Sequence, residues 1–375
     1  MKRLFYAGVV LLVLFELANV WFIMPMPYSQ RVRSVDVAYA LYRWRWAFRI
    51  GFGAMIAAGL MTAMRSRIAV AVSLLVLAGV VYATNFVMAA DVMFIAPTSL
   101  NMQPASRNAV ESSRLVVGID VAGEARAYPV QFIGYHHQVR DTVAGKPVMV
   151  SFCTVCRTGR VFIPMVEGKE ESFRLVGMDH FNAMFEDRTT GSWWRQANGE
   201  AIAGPRKGME LAEYPSRQVT LTEWLSLYPK SLIMQADTAL RSKYSASYDY
   251  ESGASRGALT GTDTASWRDK SWVVGISVGK ASRAYDWNRL TRESVVNDSL
   301  GGKAIVLVLA RDRQSFFAFE RPSAATMVLR GDSLVSGSAA YAFTGLGAAG
   351  RLAPLKASQE FWHSWRSFQP GTSRY

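Results

Sequence analysis

The sequence predicts an α-helical transmembrane segment of three helices followed by a β-rich α+β soluble domain with an internal duplication. Three observations predict it. Long apolar stretches are confined to the first 90 residues, short apolar runs alternate with Gly-containing turns over the rest, and one stretch recurs at a constant offset. Half of the residues are hydrophobic while 19% are charged, a mixture that fits a membrane segment joined to a globular part. The expected organisation is an anchor over 1–90, a linker over 91–113, a first lobe over 114–265, a second and degenerate lobe over 266–335, and a tail with a short helix over 336–375.

Residues 4–25, 46–64 and 68–90 are the expected spans, each long enough for a hydrocarbon core of about 30 Å. The Arg65-Ser66-Arg67 link makes the second and third a tight helical hairpin, and Trp44 and Trp46 sit where an interfacial aromatic belt belongs. Glu16 lies inside the first span, either as a functional carboxylate or as one hydrogen-bonded at a helix contact. The net charge of +13 is scattered without a long basic run, so the expected partner is the lipid bilayer and not nucleic acid. An unknown small molecule or protein is the further partner expected.

Residues 116–150 align without a gap on 273–307, and roughly a third of the positions are identical. Each copy reads as strand, Gly turn, strand, short helical stretch, turn and buried strand. Residues kept in both copies, such as Tyr128 and Tyr285 or Asp141 and Asp298, are expected to serve folding. Residues found only in the first are candidates for a site: His136 faces Glu293, His137 faces Ser294, Cys153 faces Ala310 and Cys156 faces Arg313.

Cys153 and Cys156 form a C-x-x-C between two apolar β-like runs, a thiolate knuckle that converges two sulfurs on one cation. His136 and His180 are the expected completing ligands, and the ion is copper or zinc. No nucleotide-binding motif occurs, so no nucleotide cofactor is expected. A redox-active or structural disulfide and a pair of inert buried thiols are the competing readings of the cysteines, and a non-catalytic binding or assembly module with a Trp-rich groove is the further reading of the protein. Around the ion, His137, Met178, Asp179, Trp194, Arg195 and Gln196 are candidate groove residues, with core packing the alternative for the tryptophans. His363, in the amphipathic run EFWHSWRS, carries no assigned role.

The runs R-A-Y-P at 126–129, Y-H-H-Q-V-R-D at 135–141, F-C-T-V-C-R-T-G at 152–159 and D-R-T-T-G-S-W-W-R-Q at 187–196 resemble the bacterial domain of unknown function 3179 family over about residues 110–330. The resemblance implies an exported or membrane-attached protein, hence a multi-pass protein of the bacterial inner membrane with its soluble domain extracytoplasmic. It carries the family's His and two Cys onto His136, Cys153 and Cys156. Arg157 departs from the family's pattern, which has glycine after the second cysteine.

Overall fold

The computed structural model describes residues 1–322 and 325–375. The chain forms two compact units, one built from Met1–Ile95, Glu171–Arg195 and Glu200–Glu210, the other from Ala96–Glu170, Gln196–Gly199 and Leu211–Tyr375.

The first unit holds helices α1 (Lys2–Trp21), α2 (Val35–Arg43), α3 (Arg45–Ala63) and α4 (Arg67–Tyr82). Two segments, Lys2–Trp21 and Arg45–Val87, are long and apolar enough to cross a membrane. The second reverses at the 3-10 turn Met64–Ser66. Arg49 and Asn85 share a hydrogen bond of 2.7 Å, whereas an unbroken helix would hold them about 54 Å apart. Small residues let α1 and α3 approach closely. A Cβ on Gly59 would stand 2.4 Å from the Phe5 nitrogen, and one on Gly8 2.9 Å from the Phe52 carbonyl oxygen. Glu16 is buried where the three helices meet, bonded to Arg49 at 2.6 Å and to Asn85 at 2.9 Å. Asn85 lies in a π-helical turn, Ala83–Val87, which ends α4.

The same unit contains a four-stranded antiparallel sheet of Phe173–Asp179, Asn182–Asp187, Trp193–Arg195 and Ala201–Ala203. Val35, Ala38, Tyr39 and Tyr42 of α2 pack on it around Trp193. These strands lie within the stretch expected as the first lobe, yet they cluster with the helices. The physical reason is the Trp193 indole, which meets the rings of Tyr39 at 5.1 Å and Tyr42 at 5.4 Å.

The second unit is built from β1 (Leu115–Val121), β2 (Glu124–Pro129), α5 (Val130–His136), β3 (Gln138–Val143), β4 (Lys146–Cys153), β5 (Thr158–Ile163), β6 (Arg217–Thr220), α6 (Leu221–Leu227) and β7 (Leu232–Met234). It continues with β8 (Trp272–Val278), β9 (Ala281–Asp286), α7 (Trp287–Glu293), β10 (Val295–Leu300), β11 (Lys303–Leu309), β12 (Phe316–Glu320), β13 (Ala357–Phe361), α8 (Trp362–Phe368) and β14 (Ser373–Arg374). The second series follows the order of the first. β1 pairs with β2 and β6 antiparallel and β2 with β7 parallel, just as β8 pairs with β9 and β13 and β9 with β14. The register agrees too: Val117 opposes Tyr128, and Val274 opposes Tyr285. Both tyrosine hydroxyls donate to an aspartate, Tyr128 to Asp141 at 2.7 Å and Tyr285 to Asp298 at 2.8 Å.

Two expected boundaries differ from what is found. The linker over 91–113 contributes a strand, Met102–Pro104, paired with β7. The expected tail over 336–375 supplies β13, α8 and β14, and so completes the sheet of β8 and β9. A strand edge leaves backbone donors and acceptors without partners, and these C-terminal segments provide them.

Candidate functional site

The C-x-x-C occupies the turn of a β-hairpin. Cys153 ends β4 and opposes Thr158, which opens β5. Thr154 to Arg157 form the turn, and Arg157 takes a φ of +57°. That left-handed conformation suits glycine, so the arginine here rests on its side-chain bonds. The buried Arg157 guanidinium donates to Gln359 at 3.0 Å and to the carbonyls of Tyr250 and Glu251 at 2.8 and 2.9 Å, and it stacks on Trp272.

Both cysteines are buried, and no disulfide joins them. The Cys156 thiol is hydrogen-bonded to Cys153 and to Ser364, and burial pushes its pKa well above the ordinary range. Lys270 lies against the pair. Its ammonium donates to the Val155 carbonyl at 2.7 Å and stands 3.4 Å from His363 Nε2, while burial lowers its pKa. His363 Nε2 is 3.2 Å from the same carbonyl oxygen, and burial, reinforced by Lys270, lowers its pKa to about 4. Ser364 donates to the buried Glu360 at 2.7 Å, and Glu360 receives Arg160 at 2.9 Å.

A cleft of about 580 Å³ reaches the C-x-x-C turn at Thr154 and is lined also by Gln131, Tyr135, Lys243, Tyr250 and Arg256. Thr154 belongs to the C-x-x-C turn, and the Tyr250 hydroxyl donates to its carbonyl at 2.9 Å. Thr154, which lies between the two cysteines in sequence, lines the cleft, whereas Cys153 and Cys156 do not.

The other candidates are distributed as follows. His136 and His137 flank the end of α5, where His137 takes a left-handed φ of 61° as the C-cap. His136 Nε2 is 2.8 Å from the Tyr244 hydroxyl. His137 Nδ1 is 3.1 Å from the Tyr135 carbonyl oxygen, and burial lowers the His137 pKa to about 4. His180 belongs to the first unit, where Nδ1 meets Asp179 at 2.6 Å. Asp179 also takes Arg195 at 2.7 Å, and its pKa is lowered by His180 and Arg195 acting against burial. Among the described residues, no group of three or more His, Cys, Asp or Glu side chains is disposed to hold a metal ion. Cys153 and Cys156 are the members of the expected set that the fold brings together.

Of the groove candidates, Trp194 is buried and donates to Asp187 at 2.9 Å, so it is a core residue, as is Trp193. The Met178 nitrogen donates to the Ile23 carbonyl at 2.7 Å. Gln196 belongs to the second unit and donates to Ser151 and to the Thr158 carbonyl.

Lys270, Tyr250, His363 and Ser364 escape a reading of the sequence. A signal for the last two exists. The run WHSW at 362–365 lies in the same place on β13 and α8 as LTEW at 221–224 on β6 and α6. His363 and Ser364 thus depart from Thr222 and Glu223 as the cysteines depart from Ala310 and Arg313. Four residues are too short a run to align without the fold.

No curated protein and no solved structure matches the chain. The family model described as "Protein of unknown function (DUF3179)" matches residues 96–372, and the chain belongs to that family.

Proposed function

We propose that the protein is a membrane-anchored thiol–disulfide module in which Cys153 and Cys156 form a reversible dithiol–disulfide pair. The observation that carries this reading is the contact between the two thiols beside the Lys270 cation, in a turn whose Thr154 lines a cleft. A cation beside the sulfurs favours a thiolate during exchange and disfavours a second positive charge at the same place. Oxidation of the pair forms one S–S bond and releases two electrons and two protons. A partner disulfide that enters the cleft accepts them and leaves as two thiols. With burial holding Cys156 protonated, the pair is inert at rest and reacts when the cleft floor opens.

The anchor in this reading has three spans, α1, α3 and α4, in a multi-pass arrangement. The N-terminus faces the cytoplasm and the second unit lies outside, where thiols are oxidised. The matching order and register of β1–β7 and β8–β14 support descent of the second unit from an internal duplication, of which the first half kept the cysteines.

The full chain, purified anaerobically in detergent, provides the test. Reduced protein should yield two titratable thiols after denaturation, oxidised protein none, and the interconversion should be reversible and absent from a Cys153→Ser/Cys156→Ser variant. Near-stoichiometric zinc or copper, retained through purification and lost in that variant, would replace this reading with a metal site. Two thiols that never form a disulfide under mild oxidant would reduce the pair to inert core residues.

A further inference from the structure

A second pocket, of about 160 Å³, is lined by residues of β1 and β6 from one sheet and of β12 from another, and its chemistry is unlike that of the dithiol site. Its walls are aromatic and rigid. Phe317 stacks on Phe343 with centroids 4.6 Å apart, Trp224 packs on Tyr228 at 4.3 Å, and Phe317 and Trp224 are almost wholly buried. Two guanidinium groups, of Arg217 and Arg351, line the same pocket.

Arg217 is half-buried, donates to the Tyr228 hydroxyl and lies over the rings of Tyr228 and Phe317, 5.5 and 5.9 Å from their centroids. Its remaining contact is a long bond to the Thr344 carbonyl. Among the described residues neither Arg217 nor Arg351 forms an ion pair with a carboxylate. Asp120 also lines the pocket, and its carboxylate accepts the Gly123 nitrogen at 3.0 Å. Since Tyr228 accepts from Arg217, its own O–H is left to donate.

The corresponding place against β5, β8 and β13 is closed differently. Arg160 on β5 stands where Phe317 stands on β12, and its charge is met by the buried Glu360 at 2.9 Å. Val219 on β6 stands where Glu360 stands on β13. Arg160 is thus neutralised by a buried carboxylate from a neighbouring sheet. Arg217, whose own counterpart is Ser358, lies half-buried against aromatic rings and forms no ion pair among the described residues, although Asp120 lines the same pocket; an anion would supply the charge partner.

We propose that this pocket binds a small organic anion with a flat apolar body, of the class of single-ring aromatic carboxylates. The carboxylate would take N–H groups of Arg217 and Arg351 and the Tyr228 hydroxyl, and the ring would lie against Phe317 and Tyr228. The size is right, because an apolar cavity of about 150 Å³ accommodates benzene. The inference does not rest on the dithiol reading.

Calorimetric titration of the detergent-solubilised full chain with benzoate tests it, with benzamide and inorganic phosphate as comparison probes. Saturable benzoate binding is expected, at least about tenfold tighter than either comparison probe, and weakened about tenfold by Arg217→Gln and by Arg351→Gln. A Cys153→Ser/Cys156→Ser variant should bind benzoate unchanged, which separates this site from the dithiol. No saturable binding to the unsubstituted protein overturns the proposal, as does benzamide equal to benzoate. Phosphate equal to benzoate overturns the aromatic-body requirement and the proposal with it. If Arg217→Gln fails to fold, Arg351→Gln at the exposed rim and the probe comparison still decide the question.

Discussion

His137 and His363 carry the clearest pH dependence among single residues. Burial lowers both to about 4, so each is neutral in the fold, whereas an unfolded imidazole titrates near 6.5. Between those values the unfolded chain binds more protons, so their contribution is complete above pH 6.5 and is lost as pH falls through about 4. Glu223 works in the opposite sense. Burial, with help from Asp312 and Asp332, raises it to about 7, so its contribution is complete below the usual carboxylate value and fades as pH rises toward 7. A His363→Gln comparison cancels the Glu223 part. Urea unfolding at pH 7 and pH 4.5 should show the acid-side loss reduced by up to about 3 kcal/mol in the variant. An equal loss in both proteins would mean that His363 is not held neutral. This scale also exposes the limit of the sequence comparison. His136 and His137 stood out because their counterparts are Glu293 and Ser294, yet His137 and Ser294 both cap a helix with φ near +60°, at 61° and 59°. A change of residue type at that position is compatible with an unchanged backbone task.

At the scale of elements, the sheet of β1 and β2 and the sheet of β8 and β9 make matching demands. Gly118 on β1 faces the Trp224 ring of α6, and a Cβ there would lie 2.4 Å from it; Gly275 on β8 faces Trp365 of α8 at 2.1 Å. Alanine at either place forces the indole or the strand to shift, at a cost of about 1–3 kcal/mol. The two variants should lower the melting temperature by similar amounts, measured by near-ultraviolet circular dichroism. A large effect from one and none from the other would mean that the two helix–sheet contacts are not equivalent. Gly118 and Gly275 were legible as identities in the alignment, whereas the tryptophans were not. The segment between β1 and α6 is longer by 16 residues than that between β8 and α8, as the offset falls from 157 at Gly118 to 141 at Trp224. An ungapped reading stops before it reaches them.

At the scale of the whole chain, residues 171–195 and 200–210 belong to the first unit, and this has a consequence. The strands around Trp193 rest on Tyr39 and Tyr42 of α2, so removal of residues 1–90 uncovers that face. In a chain beginning at residue 91, hydrogen exchange over 171–195 should rise by orders of magnitude, while β1 to β5 and β8 to β12 stay protected. Uniform protection across both regions would show that the helices are dispensable for that sheet. The same architecture is the reason to perform the thiol and benzoate experiments on the full chain.

The sequence by itself determined the apolar helical segments, the β-rich class of the rest, the family and the C-x-x-C spacing of Cys153 and Cys156. Each of these is written locally, in composition, in period or in residues three apart. Tertiary structure alone decided what surrounds the thiols. Lys270, Tyr250, His363 and Ser364 reach them from segments about 100 to 200 residues downstream. It also decided that Trp193 and Trp194 are core residues, and that His180 answers to Asp179 in the other unit. A side chain's partners depend on which strands become neighbours. That choice is made by burial and backbone pairing over the whole domain, and no local pattern records it.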